Sequence, residues 1–149
     1  GAVRYALVGT SPEKRIVFKW EEALNLERNS GPAVQYSHAR ACSIMRKAKR
    51  RGGKHSPGVF KLPEEQWLVK HLAKLPEVIQ VAGEGLQPNL PALYAAELAL
   101  GFNKFYEVAP VIEAEMAELK AARLRLVNCT RIVLRNTLGV LGIIAPERM

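Results

Sequence analysis

The feature that most constrains this chain is a long series of mainly apolar residues that recur every three or four positions near the C-terminal end. Its members are Leu119, Ala122, Leu126, Cys129, Val133, Asn136 and Val140. Residues at this spacing lie along one side of an α-helix. The series therefore predicts a helix over about 114–140 with one continuous seam, and the rest of the chain must supply helices that pack against that seam.

Proline and capping residues divide the rest of the chain into further predicted helices. Ser30 is the expected N-cap of a helix over about 32–50, because Pro32 is tolerated in a first turn. Its expected core stripe is Val34, Ala41, Met45 and Ala48. The other helices are predicted near 18–24, from 63 to a stop at Pro76, near 77–82, and from a cap at Asn89 to about 106.

Strand signals are nearly absent from the sequence. Only residues 15–18 show β-branched and aromatic residues next to polar ones in a strand-like order. The sequence therefore predicts one all-α domain over residues 1–149, a helical bundle with a basic, glycine-rich loop over about 49–61.

Charge and cysteine content narrow the function. The 149 residues contain 22 Lys and Arg against 14 acidic residues, a formal net charge of +8, which favours a polyanionic partner, first of all a nucleic acid. Cys42 and Cys129 lie far apart and form no CxxC motif, so neither a disulfide framework nor a cysteine zinc site is indicated. We expect a cytoplasmic location, and no apolar run is long enough to span a membrane.

Motifs for catalysis are missing from the sequence. The three histidines are scattered without an HExxH pattern, and Gly83-Glu84-Gly85 has neither a preceding strand nor a following Lys-Ser/Thr pair. No GxSxG motif occurs, and His38 beside Cys42 is interpreted as packing. We therefore expect no catalytic residue, no metal and no cofactor on this chain.

Basic and aromatic side chains indicate where RNA would bind. The candidate phosphate contacts are Arg46, Lys47, Arg50, Arg51 and Lys54. Such a density of charge attracts phosphates through counterion release, although a solvated surface loop is an equally good interpretation. Tyr36 and Tyr106 are candidates for stacking on unpaired bases, but the pair Phe105-Tyr106 is also typical of a helix core.

Two regions of the chain, one at residues 29–40 and one made of several short segments between residues 102 and 149, resemble a known family. Residues 29–40, NSGPAVQYSHAR, resemble the segment GN[ST]GPxxQYxHAR of arginyl-tRNA synthetases, and FNKFY at 102–106, VLRN at 133–136, LGI at 141–143 and PERM at 146–149 are similar to that family's last helices. The resemblance covers nearly the whole chain and implies the helical DALR anticodon-binding domain. The family's HIGH-like and KMSKS-like signatures do not occur in these residues. The resemblance thus implies that the Rossmann-type catalytic domain, with its ATP and Mg, belongs to a part of the enzyme outside this chain.

The resemblance also implies a site and its partners. Every arginine codon has G in the middle, so the anticodon of an arginine-accepting tRNA has C there. The implied anticodon-binding residues are Asn29, Ser30, Gly31, Tyr36, Tyr106 and Met149, and the implied supporting residues are Gln35, His38, Arg40 and Asn136. The expected partners are this tRNA and the catalytic domain of the same enzyme, with no membrane. A freestanding basic module that binds proteins or RNA in general remains the alternative.

Overall fold

The computed structural model describes residues 1–26, 29–48, 57–114 and 116–149, and every regular element in these ranges is helical. The helices are α1 (Ala2–Val8), α2 (Trp20–Ala23), α3 (Gly31–Lys47), α4 (Pro63–Ala73), α5 (Leu75–Glu84), α6 (Asn89–Val108) and α7 (Ala117–Val140), with a 3-10 turn over Pro57–Val59. The predicted all-α class is confirmed, and residues 15–18 form no strand. None of the helices in these ranges is long and apolar enough to cross a membrane.

Three long helices form the centre of the bundle. Helices α3, α6 and α7 pack against one another, α4 lies against α6 and α7, α5 lies against α6, and α1 lies against α3. The fully buried side chains between them include Val34, Leu68, Leu98, Phe102, Phe105, Val127, Leu134 and Leu138. Of the four core residues predicted for this helix, Val34 and Ala41 are buried, and Met45 and Ala48 pack against the same core while partly exposed.

The predicted helix boundaries are right at some ends and wrong at others. Ser30 is the N-cap of α3, as predicted, and its Oγ accepts a hydrogen bond from the Ala33 amide at 3.1 Å. Asn89 is not the cap of α6: Pro88 holds that position, and Asn89 is the first helical residue. Pro76 does not end α4, which stops at Ala73, but lies in the first turn of α5. Proline fits a first turn as well as it terminates a helix, so both placements follow from the same missing amide.

The predicted seam of α7 is right at Ala122 and Leu126, which are buried, and is displaced by one residue from position 129 onward. Cys129, Asn136 and Val140 are exposed, whereas Thr130, Thr137 and Leu141 are buried. The apolar pattern does not include the two threonines, because they are polar. Their hydroxyls donate to carbonyls one turn earlier, Thr130 to Leu126 at 3.0 Å and Thr137 to Val133 at 2.8 Å. A threonine whose hydroxyl is satisfied inside its own helix can face the core like a valine.

A buried ion pair joins α4 to α7. Glu65 is fully buried, and Arg123 Nε donates to its carboxylate at 2.6 Å. The other carboxylate oxygen accepts from the amides of Lys61 and Leu62, each at 3.0 Å, while Arg123 Nη1 donates to the Pro110 carbonyl at 3.0 Å. A buried charge needs such complete hydrogen bonding. The sequence assigns Glu65 only to a helix first turn, so this partner at α7 is a result of the tertiary structure.

Candidate nucleic-acid interface

Two tyrosines and one arginine form a compact group at the surface between α3 and α6. The Arg40 Cζ atom lies over the ring of Tyr36, 4.8 Å from its centroid, and over the ring of Tyr106, 5.4 Å from its centroid. Arg40 Nη2 also donates to the Tyr36 hydroxyl at 3.2 Å. The tyrosines keep 37% and 44% of their surface exposed. The two predicted stacking residues, which are 70 positions apart in the sequence, thus meet at one guanidinium.

Polar side chains beneath Arg40 hold it in place. Arg40 Nη1 donates to Asn103 Oδ1 at 2.9 Å, and Asn103 Nδ2 donates in turn to Ser37 Oγ at 3.2 Å. Ser37 is fully buried, and its hydroxyl donates to the Ala33 carbonyl at 3.0 Å. Sequence reasoning missed Asn103. Its position three residues before Tyr106, on the same side of α6, was the available signal.

The face of α3 that carries Tyr36 and Arg40 continues with the partly exposed Ser43 and the exposed Lys47. Tyr36, Arg40, Ser43 and Lys47 are spaced by four, three and four positions and therefore lie along one side of the helix, here called the α3 stripe. Lys47 is exposed near the C-terminal end of α3. Among the residues that the structure describes, the α3 stripe therefore combines aromatic surface with positive charge.

The C-terminal tail, residues 142–149, lies along the neighbouring side of α3. Three side chains of α3 donate to its carbonyls: Gln35 Nε2 to Ile144 at 2.7 Å, His38 Nδ1 to Pro146 at 2.9 Å and Arg46 Nη1 to Glu147 at 3.0 Å. The resemblance implies that Gln35, His38 and Arg40 support Tyr36 and the loop before it. In the structure Arg40 donates to the Tyr36 hydroxyl, while Gln35 and His38 donate to the tail.

Burial fixes the protonation state of His38. The side chain is 1% exposed, and desolvation lowers its pKa, which keeps the imidazole neutral near pH 7. Because a carbonyl only accepts hydrogen bonds, the proton of the neutral ring must lie on Nδ1, facing Pro146. Nε2 then faces the Cys42 sulfur at 3.7 Å, and burial raises the pKa of that thiol. Cys42 and His38 are thus both buried, with His38 against the tail.

The predicted loop of Asn29, Ser30 and Gly31 is largely internal. Ser30 and Gly31 are buried, and a Cβ on Gly31 would come within 2.9 Å of the Tyr5 Cβ, so α1 requires glycine there. Asn29 is exposed, and its Oδ1 lies 2.6 Å from the Tyr5 hydroxyl. Of these three residues, the free domain presents only Asn29 to solvent.

The remaining predicted site residues are scattered. Met149 is 64% exposed at the end of the tail, and Asn136 is exposed on α7. Arg46 holds the tail, as described above, while Arg50, Arg51 and Lys54 lie outside the described residues. Within the described ranges, no group of three or more His, Cys, Asp or Glu side chains is arranged to hold a metal ion.

Comparison with known proteins identifies the class to which this fold and surface belong. The model of the DALR anticodon binding domain family matches residues 34–149, and the chain belongs to that family. Within the family, the chain is of the arginyl-tRNA synthetase type, as its relatives and structural neighbours show.

Three of these relatives illustrate the match. An arginine–tRNA ligase of Methanosarcina barkeri is 50% identical over the whole chain, which covers 27% of that protein, and one of Pyrococcus furiosus is 47% identical, with 25% covered. The structure of the Thermus thermophilus arginyl-tRNA synthetase superposes with a TM-score of 0.90 at 38% identity, over all of this chain and 26% of that one. The chain therefore spans about a quarter of the length of the relatives it matches.

Proposed function

We propose that this domain binds the anticodon loop of an arginine-accepting tRNA at the α3 stripe and Tyr106. The observation that supports this most directly is the pair of half-exposed tyrosine rings held at one immobilised guanidinium. Unpaired RNA bases stack on tyrosine and arginine planes, and a surface already held in position loses little entropy when a base binds. The alternative of a freestanding interaction module is not favoured, because the family match is to an anticodon-binding domain.

Positive charge on the domain adds an affinity for RNA that does not depend on the RNA sequence. Arg40 and Lys47 project from the α3 stripe, and the chain as a whole carries a formal charge of +8. Phosphate contacts of this kind orient an RNA but do not read its bases. The contribution of Arg50, Arg51 and Lys54 stays a prediction from the sequence.

Selection of the middle cytosine requires polar groups, because stacking tolerates any base. Exposed candidates are Asn29, which directly precedes the N-cap of α3, and Met149 at the end of the tail. Ser30 and Gly31 are buried, so in this proposal they shape the start of α3 and do not contact the RNA themselves. We propose that the end of the tail supplies hydrogen-bonding groups for the cytosine edge.

The longer enzyme supplies the rest of the reaction in this proposal. The catalytic domain, with its ATP and Mg, would attach arginine to the tRNA that this domain positions, in the cytoplasm. We expect the chain alone to show no arginine-dependent exchange of pyrophosphate into ATP, since no phosphate-binding motif occurs in its sequence. Exchange catalysed by the purified chain would contradict this assignment.

The decisive experiment compares anticodon stem-loops that differ only at the middle position. We expect the chain to bind the stem-loop with C more tightly than the one with U, as measured by fluorescence anisotropy at fixed salt. Tyr36→Ala should weaken binding by about 1 to 3 kcal/mol through lost stacking. Trp20→Ala is the control, because Trp20 is an exposed aromatic residue on α2. Equal affinity of the unaltered chain for both stem-loops would refute the proposal.

A further inference from the structure

The course of the C-terminal tail begins with a fixed turn after α7. The Ile143 amide donates to the Leu138 carbonyl at 2.8 Å, and Gly142 has a φ of +66°, a conformation that favours glycine. Arg4 of α1 donates to the Gly142 carbonyl. A Cβ at position 142 would lie 2.6 Å from Arg4 Nη1, so another residue there would displace the end of this arginine side chain. The turn directs the tail back along the bundle.

Beyond that turn, side chains of α3 hold the tail by its backbone. Gln35, His38 and Arg46 lie on one side of α3, and each donates to a different carbonyl between Ile144 and Glu147. Hydrogen bonds to backbone carbonyls do not depend on the tail's side chains. The three donors therefore hold the backbone of the tail in addition to the packing of its buried residue Ile143.

We propose that Gln35, His38 and Arg46 are positioning residues that fix the tail as one wall of the RNA-binding surface. This inference rests on the proposed function. Their side of α3 adjoins the α3 stripe, and Asn103 and Tyr106 of α6 border the stripe on its other side. The fixed tail sets the distance between its exposed end and the Tyr36 ring, so these donors control selectivity for the middle base more than total affinity.

His38 is the central donor of the three. It is almost completely buried, and its neutral ring carries the proton toward Pro146. His38→Leu removes the donor, whereas His38→Asn retains an amide N–H close to the position of Nδ1. Gln35→Leu removes a second donor at a partly exposed position and serves if the buried change prevents folding. Gln80→Leu is the matched control, since it removes a hydrogen bond from a side-chain amide to Glu84, on α5 and away from the tail.

The first measurement needs no RNA. Carboxypeptidase releases Met149 at a rate that depends on how often the tail detaches, and mass spectrometry follows the release. We expect His38→Leu and Gln35→Leu to accelerate release about five- to tenfold, the effect of losing one hydrogen bond, with His38→Asn and Gln80→Leu close to the unaltered chain. Unchanged release in both leucine variants would overturn the inference without touching the proposed function.

The second measurement is selectivity between the stem-loops with C and U at the middle position. We expect the leucine variants to lose most of the preference for C while their affinity for the U stem-loop stays the same, and His38→Asn to restore the preference. Faster release with an unchanged preference would overturn the positioning role. Absence of any preference in the unaltered chain would instead refute the proposed function, and the inference with it.

Discussion

Two groups of stacked side chains, one between α3 and α6 and the other between α4 and α6, resemble each other in composition and differ in use. In one, Tyr36 and Tyr106 lie at the guanidinium of Arg40 and remain half exposed. In the other, the rings of Trp67 and Tyr94 stack with the imidazole of His71, at centroid distances of 4.4 and 4.9 Å and interplanar angles of 12° and 8°. Each group places one nitrogen-containing plane against two aromatic rings.

The charge of the central group explains the difference. Arginine stays protonated at any ordinary pH and must keep access to water or to an anion. Histidine becomes neutral when buried, and desolvation lowers the pKa of His71, whose side chain is only 7% exposed. His71 and Tyr94 can therefore pack in the core between α4 and α6, with Trp67 exposed beside them. Arg123 is buried against the Glu65 carboxylate, whereas Arg40 donates to the neutral Asn103 and Tyr36, so its charge stays at the surface, where it is available to a ligand.

The largest expected effect is on stability. Tyr94→Ala should lower the free energy of unfolding by about 3 to 5 kcal/mol, because it removes a buried ring that packs on His71. Tyr106→Ala should cost less than about 1 kcal/mol, since that ring is at the surface. Urea unfolding of both variants measures the difference. Similar losses in the two variants would show that the surface group also stabilises the fold.

A smaller effect is expected on RNA binding at the surface group. Arg40→Lys keeps the charge but loses the planar stacking and the paired hydrogen bonds, so anticodon stem-loop binding should weaken by about 1 to 2 kcal/mol. Lys47→Arg, on the same α3 stripe, is the control that keeps its charge and should bind as before. Full binding by Arg40→Lys would mean that Arg40 acts as a simple positive charge.

The core group should give the protein a dependence on pH. The unfolded chain binds a proton at His71 more readily than the folded one, so stability is fully present above the ordinary histidine pKa of about 6.5 and is lost as the pH falls below it. His71→Phe keeps a stacking ring and removes the group that binds this proton. We expect its unfolding free energy to vary less between about pH 6.5 and 5, with the part due to His38 remaining. An identical pH profile for the variant and the unaltered chain would exclude His71 as the source.

The smallest effect should come from a single charge. If Lys47 contacts a phosphate, Lys47→Gln should reduce the slope of log affinity against log salt by about 0.7 to 0.9. Lys70→Gln removes an equally exposed charge from α4 and should leave the slope unchanged. A slope that falls equally in both variants would indicate that net charge, rather than the α3 stripe, determines binding.

Sequence reasoning recovered part of the candidate site. It named Tyr36, Tyr106 and Arg40, and the structure brings these three together. It missed Asn103, because the spacing of three residues before Tyr106 indicates a shared side of α6 but does not reveal that Arg40 is the partner. The resemblance also assigns Gln35 and His38 a supporting role for Tyr36 and the loop before it, but it could not show that both side chains donate to the C-terminal tail, because adjacent residues on a helix point about 100° apart.

The sequence by itself determined the helical class, the N-cap at Ser30 and the resemblance to the synthetase family, because propensity, capping and motifs are recorded in neighbouring residues. The tertiary structure decided which side of α7 is buried, which carboxylate Arg123 meets and where the tail lies. These outcomes depend on contacts between residues far apart, such as His38 with Pro146 or Arg123 with Glu65, separated by 108 and 58 positions. A local pattern shows that such a side chain can donate or accept, but only the packed bundle selects the partner.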